Sequence, residues 1–177
     1  MVKHTNSIKL NKNDDNFVNI FNFSVAVFDL DLTLWDGTKL YDDVINILQA
    51  LKDAGIRLFI ASFHLEAKKC CDLLGISFYF DEIYYGRTKS KADMIKDIKE
   101  RHNIYTYEIA FFDDNFNNIL DVKKQHNIKT IHISKDGLSW YHLPIRVKLN
   151  DMYKKRYNIK YHIDKLDKTE VFDYYLE

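Results

Sequence analysis

The feature that most constrains this chain is a set of short apolar runs, each followed by a helical pattern. Ser24 to Phe28, Ile56 to Ala61, Ile83 to Tyr85, Glu108 to Phe112 and Lys129 to Ile133 read as strands. The first two are apolar almost throughout, which suits strands covered on both faces. Between them lie segments of helical period. One runs from Asp42-Asp43, which cap it, to about Ala54, with Val44, Ile47, Leu48 and Leu51 on one face and Gly55 to end it. Others run from about His64 to Leu74, from Lys89 to His102 with Met94, Ile95 and Ile98 facing in, and from Phe116 to Gln125. Strand alternating with helix implies an α/β fold, a three-layer Rossmann-like parallel sheet with helices on both faces. In such sheets ligands sit beyond the carboxyl ends of the strands.

Those ends are acidic. Asp29 and Asp31 follow the first run, Ser62 the second, and Asp113 with Asp114 the fourth, so residues far apart in sequence share one edge. Two carboxylates at alternate positions in Asp29-Leu30-Asp31-Leu32-Thr33 converge on one small site if the chain turns there. One can attack phosphorus while the other moves a proton to the leaving group. A phosphate dianion repels both, which calls for a cation. Magnesium prefers such oxygen ligands and would bridge the nucleophile and the phosphoryl oxygens. Asp113-Asp114 adds metal-ligand capacity. Each element also has a plainer reading: polar turns and helix caps for the acids, an N-cap for Ser62, a solvated lysine for Lys91 or its competitor Lys89. Their joint order along the chain is what points to chemistry. Ser62 and nearby amides would hold a phosphoryl oxygen at a helix N-terminus, and Lys91 would neutralise its charge.

Composition narrows the classes. The chain has 177 residues, 46% of them apolar or aromatic, and no formal net charge, so a globular domain is expected and nothing in the charge balance asks for nucleic acid. The only cysteines, Cys70 and Cys71, are neighbours and form no disulfide framework; they read as packing residues in a reducing, cytoplasmic setting. No stretch is apolar enough to span a membrane, and Met1 to Asn16 lacks a signal-peptide core. Lys154-Lys155-Arg156, with tyrosines interleaved, reads first as a solvated face and only secondarily as a nucleic-acid contact.

The chain resembles the haloacid dehalogenase superfamily of phosphohydrolases over roughly Phe23 to Leu138. Phe28-Asp29-Leu30-Asp31-Leu32-Thr33-Leu34 resembles its first motif, Ile60-Ala61-Ser62 the second, Lys91 the third and Phe111-Phe112-Asp113-Asp114 the fourth. It is most similar to the eukaryotic-type magnesium-dependent (acid) phosphatases, through Thr33-Leu34-Trp35, Asp113-Asp114-Asn115 with Asn118-Ile119 and Asp121-Val122, and Ile131-His132-Ile133 with Asp136-Gly137. The resemblance implies a phosphatase with Asp29 as nucleophile and Asp31 as general acid and base. It implies Mg2+ held by Asp29, the Asp31 carbonyl, Asp113 and Asp114, and phosphoryl stabilisation by Ser62 and Lys91. The acid at Asp31 matters, because related dehalogenases and transport ATPases lack it.

The chain departs from the family where Ser-Arg-Thr is typical in the second motif and Ser62-Phe63-His64 stands here. His64 reads first as a solvent-facing residue of the helix's first turn. Neither usual place for a cap domain has room, so a capless domain with an open acidic edge is expected. The expected organisation is a flexible arm over 1–16, a catalytic domain over 17–145 and an extension over 146–177 packed on or beside it. Expected substrates are phosphorylated small molecules, with a phosphoprotein or a nucleic-acid 3′ end as the macromolecular alternative; a non-catalytic binding protein on the same fold is the lesser reading, against which the intact acidic set argues.

Overall fold

The computed structural model describes residue 21 and residues 23–143. The arm over 1–16, the extension over 146–177 and its basic stretch lie outside the described residues. Five strands, β1 (Val25–Phe28), β2 (Arg57–Ser62), β3 (Glu82–Tyr85), β4 (Ile109–Asp113) and β5 (Lys129–His132), form one parallel sheet in the order β3-β2-β1-β4-β5. Four helices alternate with them: α1 (Val44–Asp53), α2 (Ala67–Leu73), α3 (Lys91–His102) and α4 (Phe116–His126).

The period-2 geometry of each strand divides its side chains between two cores. On one face Ala26, Phe28, Leu58, Ile60, Ala110 and Phe112 pack with Val44, Ile47, Leu48 and Leu51 of α1 and Ala67 and Cys71 of α2. On the other, Val25, Val27, Phe59, Ala61, Ile109 and Phe111 pack with Ala92, Ile95 and Ile98 of α3 and Ile119 and Val122 of α4. Three central strands covered on both faces explain why their sequences are apolar without alternation. Phe28 stacks on Phe112 with ring centroids 4.7 Å apart, fixing the ends of β1 and β4 side by side.

Helix ends follow local chemistry. Gly55 and Gly75 sit at positive φ (78° and 68°) after α1 and α2, where a side chain would be strained. α3 and α4 end instead on Asn103 and Asn127 in the left-handed region. Ser90 caps α3 in a capping box with Asp93, so that helix starts at Lys91 and not at Lys89. Asp43 stands at the N-cap of α1 but makes no side-chain cap bond. The larger correction concerns α2. It begins at Ala67 rather than near His64, because the Ser62 Oγ accepts from the His64 amide and His64 Nδ1 accepts from the Glu66 amide. Those side chains satisfy amides that a helix would otherwise claim, and they hold 63–66 as a turn.

No cap domain interrupts the described residues: 36–43 joins Trp35 to α1, and a short 3-10 turn, Ser77–Tyr79, lies between α2 and β3. After β5 the chain returns beneath the first loop. The Leu138 amide donates to the Thr33 carbonyl, and Leu138, Trp140 and Leu143 join the α1-side core.

Candidate active site

Strand order reverses at β1, which lies between β2 and β4. That switch point opens a crevice at the carboxyl ends, and the acids fall there. Asp29 directly follows β1, its amide donating to the Phe112 carbonyl at 2.8 Å. Asp113 is the last residue of β4 and fully buried. Carboxylate oxygens of Asp29, Asp113 and Asp114 lie within 4.8 Å of one another.

Lys91, at the first turn of α3 and only 2% exposed, reaches into this group. Its Nζ donates to Asp29 Oδ1 and to the Ala61 carbonyl, both at 2.5 Å, and stands 3.3 Å from Asp113 Oδ2. Lys89 pairs with Asp97 on the surface and plays no part. The capping box at Ser90 starts α3 at Lys91, whose side chain is buried, and leaves Lys89 ahead of the helix.

One ammonium cannot balance three carboxylates. Burial pushes the Asp29 carboxyl up to about 7, with Lys91 pulling it down and Asp113 pushing it further up. Burial and the neighbouring Asp113 raise Asp114 as well. Asp113 is oriented from its other side: the Asn115 amide donates to its Oδ1, and Asn118 Nδ2 lies 3.0 and 3.1 Å from its two oxygens. A hard divalent cation suits this all-oxygen set with its surplus of negative charge, so the residues fit magnesium.

Asp31 stands apart from the trio. Its carboxylate accepts from the Trp35 indole, Nε1 to Oδ1 at 2.8 Å, and it is half-exposed. Ser62, the last residue of β2, is buried with its Oγ engaged by the His64 amide, so it holds the turn that follows and does not cap α2. Phe63, in the place of the family's arginine, lays its ring 4.8 Å from Lys91 Nζ. His64 is not the solvent-facing helical residue expected. It is half-buried, with Cys70 Sγ 3.9 Å from both ring nitrogens and the Trp35 indole edge-on at 6.1 Å between centroids. Both cysteines are free packing residues, and burial pushes the Cys71 thiol up to about 12. The edge is open mainly beside Asp31 and Asp114, since Asp29 is only 7% exposed. A cleft of about 270 Å3 adjoins Asp114, lined by Leu32, His132, Ser134 and Lys135.

A family model for haloacid dehalogenase-like hydrolases matches residues 26–120, more than half of the 177. The chain belongs to the haloacid dehalogenase-like hydrolase family. Solved structures share that family's fold. A haloacid dehalogenase-like hydrolase from Streptococcus pneumoniae superimposes with a TM-score of 0.58 at 15% identity, over 64% of this chain and 85% of that one. A second hydrolase from the same organism gives 0.56 at 12% identity, over 62% and 92%. The N-terminal part of a Bacteroides fragilis protein, containing a phosphatase domain complexed with Mg, gives 0.53 at 21% identity, over 66% of this chain and 37% of that one. No curated protein matches the sequence. No helix among the described residues is long and apolar enough to cross a membrane.

Proposed function

We propose that this hydrolase is a magnesium-dependent phosphatase that cleaves phosphomonoesters through an aspartyl-phosphate on Asp29. The observation that carries the proposal is the placement of Lys91 among the Asp29, Asp113 and Asp114 carboxylates at the switch point. Family membership and the phosphatase domain of the Bacteroides fragilis relative support it.

Lys91 holds Asp29 Oδ1 and leaves Oδ2 to attack phosphorus. As the Asp29–phosphorus bond forms, the ester P–O bond breaks, and Asp31 gives its proton to the leaving oxygen. Asp31 then takes a proton from the water that attacks the aspartyl-phosphate, releasing phosphate and restoring Asp29. The Lys91 ammonium faces the charge that spreads over the phosphoryl oxygens, and the Ser62 hydroxyl lies at the end of the neighbouring strand. Asp29, Asp113 and Asp114 would hold magnesium, with the Asp31 carbonyl as the family resemblance implies; bound there, the ion offsets repulsion between the incoming dianion and the carboxylates.

Phosphorylated small molecules are the proposed substrates. The short 36–43 connection and the absence of a cap among the described residues also leave room for a phosphorylated macromolecule. The test is turnover of 4-nitrophenyl phosphate by the full chain. Activity should vanish in EDTA, return with magnesium, return poorly with calcium, and be lost in Asp29→Asn. Undiminished activity in chelator or in that variant refutes the proposal.

A further inference from the structure

The loop after β1 is built to present Trp35, whose indole N–H reaches Asp31 and not a member of the acidic trio. Leu34 and Trp35 amides both lie within hydrogen-bonding distance of the Leu30 carbonyl, at 2.9 and 3.3 Å. The Leu32 amide donates back to the Trp35 carbonyl at 2.8 Å, which requires Leu32 at φ 57°. Trp35 also forms isolated backbone bridges with Asp31 and Leu40. The loop therefore closes on itself and brings the indole N–H onto the carboxylate four residues earlier.

The ring is braced from behind. His64 meets it edge-on, and His64 is itself fixed by its amide on Ser62 Oγ, by the Glu66 amide on its Nδ1 and by Cys70 across its face. A continuous wall thus runs from Ser62 at the end of β2 to Asp31 beyond β1.

The indole nitrogen is a donor and never an acceptor. While it occupies Asp31 Oδ1, a proton carried by that carboxyl is favoured on Oδ2, because a protonated oxygen is the poorer acceptor. An amide or hydroxyl partner would leave the choice of oxygen open.

We infer that Trp35 is a positioning residue for the general acid: its N–H fixes the Asp31 carboxyl and favours the transferable proton on Oδ2, aimed at the leaving oxygen. This rests on the acid role proposed for Asp31. Its signature is dependence on the leaving group. A 4-nitrophenolate departs without protonation, whereas an alkoxide must be protonated as it leaves.

The test compares 4-nitrophenyl phosphate with 2-phenylethyl phosphate in the magnesium-loaded full chain. Trp35→Phe keeps an aromatic ring against His64 and removes only the donor. It should lower kcat/KM for the alkyl ester, which reports only the steps through formation of the aspartyl-phosphate, about tenfold to a hundredfold, the range for a hydrogen bond to a charged group. The kcat/KM of the aryl ester should fall no more than about threefold on the same grounds. Asp31→Asn should show the same selectivity more strongly, and adding Trp35→Phe to it should cost less than about twofold more, because the two act as one unit. Trp35→His, which can present a ring N–H on the same side, should recover part of the alkyl-ester rate. Equal losses of kcat/KM on both esters, or full additivity with Asp31→Asn, overturn the inference while leaving the phosphatase intact. A chain that turns over neither ester, or an Asp29→Asn variant as active as wild type, removes the phosphatase mechanism and this inference with it.

Discussion

Asp29→Asn should abolish turnover and stabilise the metal-free protein at the same time. The second effect follows from the burial of Asp29. Its carboxyl is raised from 3.8 to about 7, chiefly by burial and against the pull of Lys91. A carboxyl with a higher pKa folded than unfolded binds more protons in the folded state. Its contribution to stability is therefore intact below about pH 4, falls as pH rises to about 7, and is flat beyond. That interval spans roughly three pH units at about 1.4 kcal/mol each, so ionising Asp29 costs the metal-free fold at most ~4 kcal/mol. Asparagine removes that cost but also the ion pair with Lys91, which keeps the Ala61 carbonyl and Asp113 as partners. The value of about 7 already includes the pull of Lys91, so the lost pair is not charged a second time, and the net gain is at most about 4 kcal/mol. The assay is urea unfolding in EDTA. At pH 8 the variant should be more stable than wild type by about that amount, and near pH 4 the two should coincide. Wild type should lose stability between pH 4 and 7 more steeply than the variant. Magnesium at about 100 times its Kd should add about 2.7 kcal/mol to wild type and less to the variant, narrowing the gap. A variant no more stable than wild type at pH 8 in EDTA, with an unchanged pH slope, would refute the argument.

Three further perturbations have defined outcomes. Lys91→Ala should reduce kcat/KM by on the order of a thousandfold or more, whereas Lys89→Ala, which breaks only a surface pair with Asp97, should change it less than about twofold. Asn118→Leu removes the side-chain amide that orients both oxygens of Asp113, and calorimetric titration should show magnesium affinity weakened about tenfold to a hundredfold with the fold retained. Gly137→Ala places a Cβ 2.1 Å from the Tyr41 ring at a φ of +75°, so thermal melting should show a loss of about 2–3 kcal/mol.

The sheet was legible because its signals are local. Apolar runs marked the strands, three-to-four-residue periods marked the helices, and the acids stood at strand ends where the parallel-sheet rule puts ligands. The site was less legible where one side chain replaces another as partner of an amide. Ser62 and His64 looked like the start of a helix, and only their bonds to the amides of His64 and Glu66 make them a turn. The choice between Lys89 and Lys91 turned on Ser90, whose capping role is written in the Ser90–Asp93 spacing and could have been used. Asn118 carried a family signature but no role, since nothing in its neighbours says that one turn of α4 brings it back onto Asp113. Phe63 over Lys91 and Trp35 on Asp31 depend on how separate loops meet beyond the sheet, which local pattern does not encode.

The Leu138 amide is bonded to the carbonyl of Thr33, about a hundred residues earlier, and Gly137 lies against Tyr41. During synthesis the loop bearing Asp31 leaves the ribosome early, whereas the turn that ties it down emerges only after β5. Such a distant pairing closes late, because the long intervening loop must be ordered first. A nascent chain halted before Leu138 would hold Asp29 at the end of β1 while the loop carrying Asp31 lacked its last tether. The loop carrying Asp31 is thus completed only after Leu138 has emerged, and a ribosome stalled short of that point would carry an assembled sheet with that loop still untied.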